Sequence, residues 1–125
     1  MTQKIKLLFL ITIIGLVTSS VAYGQSNFNE MFIGYWTIDD STVKTVIFKD
    51  KNNHVQMVMW DSSDGEEMEI VQLQVVGDVI QTIEKMGSTN WITYNTYSII
   101  DENTLKCVFD NDDESGIVIY FERLK

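Results

Sequence analysis

Apolar and polar residues alternate with a period of two along most of the chain after residue 32. This period places every second side chain on the same face, as in a β-strand with one buried face. The pattern predicts eight strands, and they are rich in the β-branched and aromatic residues that a pleated surface favours. Their expected bounds are 33–39, 43–50, 54–60, 67–76, 79–85, 91–100, 104–109 and 116–124.

The segments between these strands are short and polar, and their Asp, Asn, Ser and Gly residues are typical of tight turns. None is long enough for a crossover helix, so consecutive strands are expected to be antiparallel neighbours. Closing eight such strands into a barrel removes both exposed edges and leaves room for side chains or one small ligand. We therefore predict an all-β, antiparallel, up-and-down eight-stranded barrel, with a two-sheet sandwich as the structural alternative.

The first 24 residues have the three-part pattern of a signal peptide. Lys4 and Lys6 precede an apolar run over residues 7–17, and small residues follow before a predicted cut at Gln25, or after Ala22. The run is shorter than the roughly 20 apolar residues that span a membrane. We predict a signal peptide over residues 1–24, a single barrel domain over residues 25–125, and export to the periplasm or the extracellular space, with an uncleaved anchor as the alternative.

The predicted mature chain is acidic, with seven basic and 18 acidic residues and a net charge of −11. This charge argues against nucleic acid as a partner and, after signal cleavage, against anionic membrane surfaces. It suits a basic protein partner or a small cation. Cys107 is the single cysteine, so no internal disulfide can form. Its apolar neighbours at alternate positions, Leu105 and Phe109, predict a buried thiol.

The first strand opens with Gly34, Tyr35 and Trp36, which resembles the Gly-x-Trp opening of the lipocalins and fatty-acid-binding proteins of the calycin superfamily. The chain looks most like the compact lipocalin-like domains of small exported bacterial proteins. The resemblance implies that Gly34, Trp36 and Arg123 close one end of the barrel, with Arg123 stacked on Trp36. The chain departs from that pattern because it lacks the Thr-Asp-Tyr motif of the lipocalins, the helix after their barrel and the helical lid of the fatty-acid-binding proteins.

The resemblance also implies a non-enzymatic protein that binds a small apolar or amphipathic ligand inside the barrel. Alternation gives Val46 an inward position and supplies a set of interior candidates for ligand binding: Phe48, Met57, Met59, Trp91, Tyr97 and Phe121. The alternative function is a protein-interaction module, such as an inhibitor of an exported enzyme, that uses residues 25–30 as an N-terminal arm.

The loops after strands one, three, five and seven share one end of such a barrel, and ten acidic residues fall there against Lys85. This predicts a negative rim around the open mouth. One of these loops places Asp110, Asp112 and Glu114 at alternate positions, which makes them weak candidates for calcium, although the glycine and glutamate positions of an EF-hand are not matched. No catalytic grouping and no cofactor motif is recognisable, so the sequence predicts neither an enzyme nor a cofactor.

Overall fold

The computed structural model of the protein describes residues 28–87 and 89–124. A one-turn 3₁₀ helix over Glu30–Phe32 precedes eight strands, and each strand bound lies within one residue of its predicted position. The strands are β1 (Gly34–Ile38), β2 (Val43–Lys49), β3 (Val55–Asp61), β4 (Glu67–Val76), β5 (Val79–Met86), β6 (Ile92–Asp101), β7 (Thr104–Asp110) and β8 (Ile117–Arg123). The predicted signal peptide lies outside the described residues. Within them, no helix is long and apolar enough to cross a membrane.

The eight strands pair in sequence order and form a closed barrel. Each is antiparallel to the next, and β1 also pairs with β8 through Trp36↔Arg123, Thr37↔Glu122 and Ile38↔Phe121. This last pairing joins the first and last edges of the sheet, so the barrel prediction is confirmed and the sandwich alternative is wrong. Closure satisfies the edge hydrogen bonds that two open sheet edges would leave to water or to other chains.

The register of β1 against β2 decides which side chains of β2 face the core. Trp36 is fully buried and pairs with Thr45, so Thr45 and Ile47 point inward, and both have no exposed surface. Phe48 therefore lies on the outer face, where 37% of it is exposed. The interior placement of Phe48, and of Val46 on the same face, is wrong. Both faces of β2 carry apolar residues. Alternation alone therefore favoured Val46 and Phe48, the more apolar pair, as the inward face.

The remaining inward faces form one continuous core inside the barrel. It contains Trp36 from β1, the alternate residues of β3 and β6, and residues of β5, β7 and β8. The buried apolar members are Phe28, Phe32, Trp36, Ile47, Val55, Met57, Met59, Val75, Ile80, Tyr97, Leu105, Cys107 and Phe121. Cys107 is only 3% exposed, which confirms the prediction of a buried thiol.

The ladder between β3 and β4 has the fewest residue pairs in the barrel. These strands share two pairs, Met59↔Met68 and Trp60↔Glu67, and then separate. The separation leaves a surface groove of about 600 Å³, lined by residues 54–58 on one side and mainly by residues 70–75 on the other. Residues 70–76 of β4 keep their pairing with β5, apart from a bulge between Ile70 and Gln72, so the groove interrupts one ladder only.

Candidate ligand cavity

One end of the barrel is closed by Arg123 packed over Trp36. The guanidinium carbon lies 4.2 Å from the ring centroid, and the indole Nε1 donates to the Phe32 carbonyl at 2.9 Å. Arg123 also donates to three backbone carbonyls: Nε to Glu102 at 2.6 Å, Nη1 to Ile33 at 2.8 Å and Nη2 to Met31 at 2.5 Å. One side chain thus ties the segment before β1 and the β6–β7 turn to the final strand.

Gly34 makes room for that arginine. Its φ of +144° is one that L-residues rarely adopt, and a Cβ at this position would collide with Nη1 of Arg123. A residue without a side chain is therefore required where the chain passes beneath the guanidinium. Gly34, Trp36 and Arg123 lie together at this end in the structure.

The segment before β1 completes the closed end. The rings of Phe28 and Phe32 stack with centroids 5.6 Å apart, and Phe28 is 7% exposed. Lys49 lies over the Phe28 ring at 5.3 Å and forms a 2.6 Å ion pair with Glu30. Residues 28–30 are therefore packed on the barrel, so the described part of the arm considered for an interaction module does not project from it.

A cavity of about 460 Å³ occupies the opposite half of the barrel and opens at the end where the β1–β2, β3–β4, β5–β6 and β7–β8 loops lie. Most of its wall is apolar, and the wall is drawn from all eight strands and from the loops that follow β3, β5 and β7. Its larger apolar members are Ile38, Val43, Met59, Trp60, Met68, Met86, Trp91, Phe109, Ile117, Ile119 and Phe121. The volume falls within the range of roughly 300–1,000 Å³ that is usual for small-molecule sites.

A buried carboxyl group, Glu84, forms part of the cavity lining, two residues before the end of β5 that leads into the β5–β6 loop. Glu84 is 3% exposed, and its Oε2 accepts hydrogen bonds from the Thr82 hydroxyl at 2.6 Å and the Tyr97 hydroxyl at 2.5 Å. Alternation along β5 directs Thr82 and Glu84 inward together. On the neighbouring strands, the Cys107 thiol donates to Asn95 Oδ1 at 3.7 Å, which completes a polar cluster inside the apolar wall.

Burial controls the protonation of this cluster. Desolvation raises the pKa of Glu84, and the hydrogen bonds from Thr82 and Tyr97 only partly oppose that rise. Burial likewise raises the pKa of Tyr97 well above its ordinary value, with the nearby Glu84 adding to the effect. The pKa of the Cys107 thiol is raised mainly by burial and then by Glu84. The tyrosine and the thiol therefore stay neutral at physiological pH, and neither is poised as a nucleophile.

The cavity mouth is acidic, as the loop arrangement predicts. Asp61, Asp64, Glu66 and Glu114 contribute to its lining. Asp61 accepts hydrogen bonds from the side chain and backbone of Ser63 and from the Thr42 hydroxyl, and these bonds lower its pKa. Its carboxylate is therefore ionised at neutral pH. The ordered mouth carries negative charge directly above the apolar wall.

The structure separates the predicted interior residues into three groups. Met59, Trp91, Tyr97 and Phe121 line the cavity, with Trp91 at the mouth and 47% exposed. Met57 is inward and buried but lies outside the mouth cavity, beside the β3–β4 groove. Phe48 is on the outer face, as described above. None of these positions by itself tests whether a ligand binds.

The sequence predicted an interior Tyr97 and a buried Cys107, but Thr82, Glu84 and Asn95 of the polar cluster were missed. Thr82 and Glu84 occupy alternate positions on β5, and Asn95 and Tyr97 occupy alternate positions on β6. Polar side chains at inward spacing were the available signal. It was ambiguous because the opposite face of β5 also mixes polar and apolar residues, namely Val79, Gln81, Ile83 and Lys85.

The calcium candidates do not form a cation site. The Asp110 carboxylate accepts from the Gly116 amide at 2.7 Å, and buried Asn111 accepts from the amides of Asp113 and Glu114. The β7–β8 loop is therefore organised by its own backbone donors. Across residues 28–87 and 89–124, no three carboxylate, imidazole or thiol groups lie close enough to hold a metal ion. The proposal of calcium ligands at Asp110, Asp112 and Glu114 is not supported.

No protein-family model matches the chain, and no curated protein matches it. Among solved structures, pallilysin of Treponema pallidum is similar over 93% of this chain and 98% of its own length, with 12% identity and a TM-score of 0.51. Secretory abundant heat soluble protein 4 of Ramazzottius varieornatus is similar over 78% of this chain and 98% of its own, with 14% identity and a TM-score of 0.48. At these identities the pallilysin match concerns the fold alone, and it is consistent with a lipocalin-like barrel.

Proposed function

We propose that the protein is an exported, non-enzymatic binding protein that holds one small apolar or amphipathic molecule in the mouth cavity. The observation that carries this proposal is the cavity itself. Its 460 Å³ is far larger than the roughly 30 Å³ that a single water occupies, and apolar side chains form most of its wall. A barrel whose side chains filled its interior would offer no such volume.

The construction of the two ends supports the same function. The Arg123–Trp36 closure and the Phe28–Phe32 stack make one end solid, while the loops at the other end leave the cavity open. Three methionines, Met59, Met68 and Met86, line the cavity. Their unbranched, polarisable side chains can adjust to ligands of different shape. Export remains part of the proposal through the predicted signal peptide, and it places the ligand outside the cytoplasm.

Filling the cavity tests this function. Ile119 lines the cavity on β8, whereas its neighbour Val118 points outward and is 45% exposed. We expect Ile119→Trp to abolish binding of the fluorescent apolar probe N-phenylnaphthylamine, while Val118→Trp leaves binding unchanged. Circular dichroism of both variants establishes that they are folded. Equal probe binding by wild type and a folded Ile119→Trp variant would refute the proposal, because the probe would then occupy another surface.

Native mass spectrometry of the protein, purified after export without refolding, provides an independent check. A co-purifying mass of a few hundred daltons that is lost on denaturation would identify the ligand class. Added ligand should also raise the melting temperature by mass action, since only the folded barrel offers the cavity.

A further inference from the structure

The charges that line the mouth cavity are all of one sign. Five lining residues carry carboxyl groups, and they are Asp61, Asp64, Glu66, Glu84 and Glu114. Among the residues of 28–87 and 89–124 that line the cavity, none is a lysine, arginine or histidine. A ligand with a carboxylate or phosphate group would meet like charge here, whereas a cation would be attracted. The cavity therefore discriminates by charge as well as by polarity.

Glu84 is the lining carboxyl group that a cationic ligand would affect most. Both hydrogen bonds that it accepts go to Oε2, and Oε1 accepts none from the part of the chain that the structure describes. No ion pair to Glu84 is present there either, because the adjacent Lys85 is directed to the opposite face of β5 and pairs in register with Glu69 of β4. A buried carboxyl group without a cationic partner is costly to ionise, so its remaining oxygen is suited to a donor that arrives with the ligand.

We propose that the ligand of this cavity is a hydrophobic amine, whose nitrogen pairs with Glu84 and whose apolar body packs against the wall above it. This inference rests on the proposed function and specifies its ligand class. The ammonium group of the protonated amine pairs with the Glu84 carboxylate, and any proton that the carboxyl group carries beforehand passes to a neutral amine or is released to solvent. Both routes end in the same ammonium–carboxylate pair, and no net charge is left buried without a partner.

The acidic mouth acts on the same ligand before it reaches Glu84. Asp61 is the last residue of β3, Asp64 lies in the loop between β3 and β4, and Glu114 lies in the loop between β7 and β8, on another side of the opening. Their combined field raises the local concentration of cations and repels anions. The mouth and the buried carboxyl group therefore select the same sign of charge, at long range and at contact respectively.

Three probes with the same chain length separate the effect of head-group charge on affinity from the effect of apolar packing. The probes are n-decylamine, n-decanol and n-decanoic acid, each used below its aggregation concentration. Calorimetric titration at neutral pH should give the tightest binding for the amine, weaker binding for the alcohol and the weakest for the acid. We expect Glu84→Gln to weaken amine binding by about tenfold or more, because a charge-assisted pair is lost, and to leave alcohol binding within about threefold of wild type. The matched control is Glu69→Gln, which removes the same charge from an exposed position on β4, one strand from Glu84.

The outcomes distinguish this inference from the proposed function. If the alcohol binds as tightly as the amine, and Glu84→Gln changes neither, the protein is a general apolar carrier and the amine assignment is wrong. If the acid binds most tightly, the assignment is also wrong. If none of the three probes binds although all variants are folded, both the ligand class and the cavity function are overturned. An equal loss of amine affinity in Glu69→Gln would refute a specific role of Glu84.

Discussion

Arg123 is the residue whose removal should most directly test the closed end of the barrel. Arg123→Ala deletes the contact with Trp36 and all three hydrogen bonds to the carbonyls of Glu102, Ile33 and Met31. The carbonyl of Ile33 is partly buried, so it loses a partner that water replaces poorly. The segment before β1 would then be held mainly by the packing of Phe28 and Phe32.

The magnitude follows from the environment of each contact. A hydrogen bond from a charged donor contributes about 1.5–3 kcal/mol when buried, and the partly buried bond to Ile33 lies at the low end of that range. The bonds to Glu102 and Met31 are exposed and add a few tenths of a kcal/mol each. The cation–π contact with fully buried Trp36 adds about 1–2 kcal/mol. Arg123→Ala should therefore lower the free energy of unfolding by about 3–4 kcal/mol.

Urea unfolding followed by circular dichroism measures this change. A loss of that size is a large share of the roughly 5–15 kcal/mol that stabilises a domain, and it corresponds to a fall of about 15–25 °C in melting temperature. Arg123→Lys should fall between wild type and Arg123→Ala, because one ammonium group keeps the charge but not the three-way donor geometry. Lys106→Ala, which removes a cation from the outer face of β7, is the control and should change stability by less than about 0.5 kcal/mol.

A result for Arg123→Ala within about 0.5 kcal/mol of wild type would refute the reasoning. Such a result would mean that the contacts of Arg123 form once the barrel has closed but do not stabilise it. The resemblance to the calycin pattern at Gly34, Trp36 and Arg123 would then carry no energetic meaning in this chain.

Three further predictions concern Gly34, Glu84 and Cys107. Gly34→Ala should destabilise the barrel by about 1–3 kcal/mol in urea unfolding, because the added Cβ collides with the Arg123 guanidinium. The loss should be smaller in an Arg123→Ala background, and additive effects in the double mutant would contradict this explanation. Burial raises the pKa of Glu84 in the folded state, so its contribution to stability is complete below the unfolded pKa and is lost as pH rises through the folded pKa. In urea unfolding, Glu84→Gln should therefore gain stability relative to wild type as the pH rises above the unfolded-state pKa of the carboxyl group, and a difference independent of pH would count against a buried carboxyl group without a cationic partner. Burial also raises the pKa of the Cys107 thiol, so labelling by a disulfide reagent should be slow in the native protein and accelerate with urea in step with unfolding, whereas rapid native labelling would show an open interior.

The strands could be predicted because their information is local. Turn residues such as Gly77 and Asp78 mark the ends of strands, and the period of two marks their interiors, so the predicted bounds agree with the structure to within one residue. The closure of the sheet follows from strand number and short connections. The end at which the acidic loops gather follows from the order of the loops alone. None of these inferences required knowledge of which face is inside.

The orientation of side chains depends on register between strands, which a single sequence does not reveal. Val46 and Phe48 form a more apolar face than Thr45 and Ile47, yet the second pair is inside because Thr45 is opposite Trp36. The hydroxyl of Thr45 is buried without a hydrogen-bond partner among the described residues, so this arrangement carries a local cost. The packing of the small Thr45 side chain against the Trp36 indole ring therefore outweighs the tendency of β2 to bury its more apolar face.

The inward position of Glu84 at the candidate site likewise could not be read from the sequence alone. This position also carries a cost in stability. A neutral apolar residue at this inward position would avoid the cost of ionising a buried carboxyl group, and the barrel would not need Thr82 and Tyr97 to satisfy it. The hydrogen bonds from Thr82 and Tyr97 offset this cost only in part, and the proposed ligand would account for the remainder. An amine that pairs with Glu84 would remove that cost only in the complex, so ligand binding should stabilise the wild-type protein more than the Glu84→Gln variant. On the proposal of an amine ligand, the buried carboxyl group is the feature that gives an otherwise apolar cavity a preferred charge.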